Sequence, residues 1–156
     1  MSATPPGWSA LHATAVLVGE NGVLLRGPSG AGKSALALAL LSTSRNRLFF
    51  FALVGDDRIF VRAEAGRLVA RGVAGFAGQI ERRGQGVIRV PHEREAVIRL
   101  VVDLPGRQGP APARLPDEGE LLTEILGLRL PRLAVVPALG PLDQAAVIIE
   151  VLENKT

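Results

Sequence analysis

At 156 residues the chain has room for one hydrophobic core of ordinary size and not for a second. Its 47% hydrophobic and 21% charged residues exclude a disordered chain, and the absence of cysteine excludes disulfides and thiolate metal sites. Net charge is only +3, no block of five like charges occurs and no apolar run approaches a bilayer span, so neither nucleic acid nor membrane is an expected partner and a cytoplasmic location is the default.

Residues 1–9 read as a flexible N-terminus and 10–156 as one domain. "ATAVLV" (13–18), the turn "GENG" and "VLLRG" (23–27) predict a hairpin whose second strand runs into a glycine-rich loop. "SALALALL" (34–41) is all good helix formers and predicts a buried helix. "RLFFFALVGDD" (47–57) predicts a central strand buried on both faces and ending in two aspartates. "RIFVRAEAGRLVARG" predicts a hairpin around "AEAG", "GFAGQIERRGQGVIRV" (75–90) a loop entering a strand, and "VIRLVVDL" (97–104) another strand. A Pro- and Gly-rich loop, "PGRQGPAPARLPDEG", follows. "LRLPRLAVVPAL" then predicts one or two last strands, and "DQAAVIIEVLENKT" a terminal helix capped at Asp143.

Residues Gly27, Pro28, Ser29, Gly30, Ala31, Gly32, Lys33 and Ser34 satisfy the phosphate-loop pattern G-x-x-x-x-G-K-[ST]. Glycines let successive main-chain N–H groups turn toward phosphates, a helix N-terminus adds its dipole, Lys33 bridges the terminal phosphates and the Ser34 hydroxyl suits Mg²⁺. The placement between a predicted strand and a predicted helix is the required context. Asp56 and Asp57 would lie beside that loop at a strand's carboxyl end; neighbours on a strand point to opposite sides, so only one is expected to face the γ-phosphate. Glu81 beside Arg82 and Arg83 offers a metal ligand and a charge-stabilising guanidinium, or else a surface ion-pair cluster. Arg114 and His12 have bland readings too, as a surface arginine and an edge histidine.

Taken together, "LHATAVLVGENGVLLRGPSGAGKSALALALL", "FALVGDD", "GQIERRGQGVIRV" and "AVIIEVLENK" resemble the catalytic C-terminal domain of HPr kinase/phosphorylase, in its short single-domain form. The resemblance implies an α/β fold: a P-loop mixed β-sheet core with flanking helices, similar to phosphoenolpyruvate carboxykinase. It implies an ATP- and Mg²⁺-dependent kinase for a serine of the phosphocarrier HPr, acting on the phosphotransferase system and assembled as a hexamer, with pyrophosphate an alternative donor in relatives. By position, His12 assists catalysis, Lys33 holds phosphates, Ser34 and Glu81 hold Mg²⁺, Asp57 is the base toward the serine hydroxyl, Arg83 belongs to the signature, and Arg114 matches the catalytic arginine. Ala35 departs from the glutamate usual in longer members. "VVPALGPLDQ" (135–144) lacks the two arginines of a segment tied to dephosphorylation, so kinase activity is expected with phosphorylase activity weak. The rival readings are a small-molecule P-loop kinase and a nucleotide-binding regulatory module without turnover.

Overall fold

The computed structural model describes residues 3–106 and 109–154. The elements, in chain order, are β1 (Ser9–Leu11), β2 (Ala13–Val18), β3 (Asn21–Arg26), α1 (Lys33–Asn46), β4 (Phe51–Gly55), β5 (Ile59–Glu64), β6 (Arg67–Gly72), β7 (Gln79–Arg82), β8 (Gly86–Arg89), β9 (Glu95–Asp103), β10 (Leu122–Ile125), β11 (Leu128–Ala134) and α2 (Pro141–Glu153). A large mixed sheet runs β1-β5-β6-β9-β3-β2-β4, with β11 on β9 and β10 on β11; β7 and β8 form a separate hairpin. This is the expected P-loop α/β architecture.

Strand β9 organises the sheet. Its start, Glu95–Val97, pairs antiparallel with β6, while its end, Val101–Asp103, pairs parallel with β11. The other edge pairs parallel with β3. Both helices cover one face, where Leu36 and Leu40 of α1 and Ile148 and Ile149 of α2 join Val23, Leu25, Leu100 and Val102 in one fully buried cluster. On the opposite face the sheet rolls over itself, burying Ala13, Ala15 and Leu24 against Ile59, Val61, Leu68 and Ile98. Burying a side chain of that size contributes about 1.5–3 kcal/mol, so these two layers hold the loops between them in place.

Several expectations change. The run 47–57 is not one central strand: Arg47–Phe50 form the exit of α1, with Leu48 at φ +60° and 92% exposed, and β4 begins only at Phe51. β4 ends the strand order, yet both its faces are buried, and its outer edge is occupied: Leu53 N–H donates to Pro91 O, and Leu53 O accepts from Glu93 N–H. Residues 79–89 make a hairpin rather than a single strand. β10 lies before the segment expected to hold the last strands and pairs across a tight turn at Leu126–Gly127, both at positive φ. Helix α2 starts at Pro141 with Gly140 as its cap, so Asp143 sits inside the first turn, where its charge favours the helix dipole instead of capping it.

The N-terminal expectation also gives way. Ser9 is in β1, and Trp8 is buried with Arg62 and Arg71 stacked on its ring at 4.4 and 4.3 Å. Residues 1–2, Arg107 and Gln108 of the Pro- and Gly-rich segment and the chain's last two residues lie outside the described residues. Among the described residues no helix is long and apolar enough to cross a membrane.

Candidate active site around the phosphate loop

The loop between β3 and α1 is held open by its glycines. A Cβ on Gly27 would come within 2.4 Å of Leu104 O, because Leu104 N–H reaches back to Arg26 O at 2.7 Å and brings the two strand ends together. Gly32, the cap residue of α1, has φ +101°, a conformation closed to L side chains. Lys33 opens the helix and is 6% exposed; its Nζ donates to Gly27 O (2.8 Å) and Pro28 O (3.2 Å), folding its ammonium back across the loop it follows.

Asp56 and Asp57 follow β4, which runs in the same sense as β3 with β2 between them. Ser34 Oγ donates to Asp56 Oδ1 (2.8 Å), with Oδ2 at 3.1 Å, and Thr14 Oγ1 donates to the same Oδ1 (2.8 Å). Asp57 N–H donates to Thr14 Oγ1 (3.2 Å), and the Asp57 carboxylate meets His12 Nε2 at 2.7 Å. Strand alternation would have turned one aspartate away. It does not, because Asp57 has φ +66°: the left-handed residue breaks the alternation and both carboxylates line one cleft.

That cleft is about 370 Å³ and is also lined by Arg58, Phe76, Glu81 and Val87. Hairpin β7–β8 thus delivers Glu81 opposite the two aspartates. Among the described residues no three His, Cys, Asp or Glu side chains converge closely enough to hold a metal unaided. The donor set nonetheless suits Mg²⁺, which takes one or two carboxylates and fills its octahedron with water and substrate phosphates. Of the residues singled out from sequence, the structure brings together His12, Lys33, Ser34, Asp57 and Glu81. Arg83, in the exposed β7–β8 turn, and Arg114, in the exposed loop after β9, line neither this cleft nor the other one bordering the loop.

Thr14 and Arg58 escaped the sequence reading, and Asp56, expected beside the loop, had no partner assigned to it. Thr14 is fully buried, and its one hydroxyl serves both aspartates. Asp56 is the partner of Ser34, and Arg58, stacked over Phe60 at 5.3 Å, brings a guanidinium to the acidic cleft. A polar residue inside the apolar strand "ATAVLV" was the available sign for Thr14.

Comparison with known proteins gives a consistent picture. The family model described as HPr serine kinase C-terminal domain matches residues 7–156. HPr kinase/phosphorylase of Geobacillus thermodenitrificans is 34% identical over 92% of this chain and 46% of its own, and that of Burkholderia lata is 30% identical over 95% and 46%. This chain therefore spans less than half the length of these curated relatives. The solved HPr(Ser) kinase/phosphatase of Coxiella burnetii superposes with a TM-score of 0.70 at 26% identity, over 95% of this chain and 99% of that one.

Proposed function

The chain belongs to the HPr serine kinase C-terminal domain family, and from that premise we propose that it transfers the γ-phosphoryl group of ATP to a serine of the phosphocarrier HPr. One observation carries the reading. Two adjacent carboxylates that line one cleft have separate partners, Asp56 on Ser34 of the phosphate loop and Asp57 on His12.

The division assigns their work. Main-chain N–H groups of the Gly27–Ser34 loop and the Lys33 ammonium grip the triphosphate, and Lys33 exchanges its carbonyl partners for phosphate oxygens. Ser34 and Asp56 would hold Mg²⁺, with Glu81 across the cleft; the metal, when bound, neutralises charge on the β- and γ-phosphates. Asp57, exposed, accepts the proton of the incoming serine hydroxyl, and His12 holds its carboxylate in line. Arg58, which lines the cleft where Arg83 and Arg114 do not, offsets charge developing on the transferred group.

Residues 10–156 act as one catalytic domain in this proposal, in the cytoplasm with HPr, and assemble as a hexamer as the family resemblance implies. The phosphorylase direction is weak because 135–144 lacks arginines. Incubating the purified chain with Mg²⁺, γ-labelled ATP and HPr tests the reading: label on an HPr serine is expected. Nucleotide binding without transfer, or label on a small molecule instead, would overturn it.

A further inference from the structure

His12 is the one residue between β1 and β2, at the point where the chain leaves its pairing with β5 for its pairing with β3 and β4. Its contact with Asp57 is therefore placed by whatever fixes β1 on β5. That ladder is three residues long, with Ser9 in register with Val61, Ala10 with Phe60 and Leu11 with Ile59. One end of it leads straight into the site, since His12 follows Leu11 and Asp57 comes two residues before Ile59.

A three-residue strand at a sheet edge frays unless its far end is tied down. Ser9 and Ala10 are exposed and Leu11 is only partly buried, so the strand's own side chains hold it weakly. The tie is Trp8, which is 8% exposed and packs with Phe60 and Val69 in a small cluster apart from the two main cores. Arg62, one step further along the register of β5, and Arg71 of β6 lie over its ring at 4.4 and 4.3 Å. A desolvated ring met by two guanidiniums is held through its quadrupole as well as its area. Each guanidinium also has a carboxylate partner, Glu64 for Arg62 and Glu95 for Arg71. These two pairs cancel in charge, which marks the cluster as an internal clamp and not an anion site.

We propose that Trp8 is a positioning residue for phosphoryl transfer: by tying the start of β1 to β5 and β6, it holds His12 against the Asp57 carboxylate. The inference rests on the kinase reading above, in which His12 keeps Asp57 in line, and adds what keeps His12 there. Trp8 lines neither cleft beside the phosphate loop, so its loss acts through His12 and not on the nucleotide.

Steady-state phosphorylation of HPr by Trp8→Leu and Trp8→Phe, each with His12 present and in a His12→Ala background, tests it. Leucine keeps apolar bulk without a ring; phenylalanine keeps the ring. With His12 present, Trp8→Leu is expected to lower kcat about tenfold with KM for ATP within about twofold, and Trp8→Phe to restore most of it. In the His12→Ala background Trp8→Leu should change kcat less than about twofold, because nothing is left to position. Equal loss in both backgrounds, an unchanged kcat with His12 present, or a Phe variant as slow as the Leu variant would overturn the proposal. If Trp8→Leu does not fold, Arg62→Gln combined with Arg71→Gln takes its place, keeping the ring and removing both cations, with the same dependence on His12 expected. The imidazole C–H resonances give a readout that needs no HPr, since His12 and His92 are the only histidines. Asp57→Asn should displace those of His12 in the otherwise wild-type chain and less than about half as far in Trp8→Leu. Equal displacement in the two would refute the clamp. A wild-type chain that leaves HPr unphosphorylated would refute the proposed function, and the resonances would then decide the clamp alone.

Discussion

Two clefts border one phosphate loop, each with an aspartate at the end of a strand, and the partners of those aspartates set them apart. On the β4 flank Asp56 is met by two hydroxyls and Asp57 by an imidazole, and Asp57 is 73% exposed. On the β9 flank Asp103 is 22% exposed and clamped by two guanidiniums. Burial pushes the Asp103 carboxyl up, but the hydrogen bonds and charges of Arg26 and Arg132 together outweigh it and hold the group below its ordinary range. A carboxylate met by hydroxyls or an imidazole can exchange those partners and accept a proton or join a metal. One locked between guanidiniums can do neither, and becomes a structural tie between β3, β9 and β11.

Removing what the flanks share should have the largest effect. Lys33→Ala deletes the cation that serves the loop itself, so pyrophosphate binding and phosphoryl transfer should both fall at least about a hundredfold. The circular dichroism spectrum should remain that of the wild type, since the lost contacts are with the carbonyls of Gly27 and Pro28 only. Pyrophosphate binding that survived would detach the lysine from both clefts.

A change confined to the acidic flank should be smaller. Thr14→Val keeps the shape but strips the hydroxyl that donates to Asp56 and accepts from Asp57 N–H. Thr14 is a positioning residue, so kcat should fall about tenfold while KM for ATP changes little, and Thr14→Ser should restore most of it. Losing these part-buried hydrogen bonds costs about 0.5–1.5 kcal/mol, measurable by denaturant unfolding. Equal loss in the Val and Ser variants would mean that the hydroxyl alone does not position the two aspartates.

On the β9 flank the response should be one of stability. Asp103→Asn leaves two guanidiniums without their carboxylate, a cost of about 2 kcal/mol near neutral pH. Because the folded value of Asp103 lies below the ordinary 3.8, its contribution is fully present above that pH and is lost as pH falls through the depressed value. The stability gap between wild type and Asp103→Asn should therefore stay level from neutral pH to about pH 5 and close only in stronger acid. A gap that closes near neutrality would contradict the clamp.

Much of this was legible from residue order. The strand, glycine loop and helix that cradle phosphates follow directly in "VLLRGPSGAGKSALALALL", and local periodicity is enough for such a unit. Strand pairing was not legible: β4 reads as central by hydropathy, yet is buried because 91–93 cover its edge and the sheet rolls over its second face. "FALVGDD" and "RLVVDLP" are alike as apolar runs ending in Asp, and only the tertiary placement of Arg26 and Arg132 tells them apart. The pairing of Asp56 with Asp57 in one cleft rests on a single positive φ, which aspartate tolerates better than most residues but which the apolar run before it does not announce.

Asp57→Asn tests the account most directly, because asparagine tolerates the left-handed backbone and removes only the proton-accepting charge. With Mg-ATP and HPr, the account predicts that phosphoserine formation falls about 10²–10⁴-fold while ATP and pyrophosphate affinities stay within about threefold of wild type. A variant that keeps more than about a tenth of the transfer rate, at the same nucleotide affinity, would contradict it.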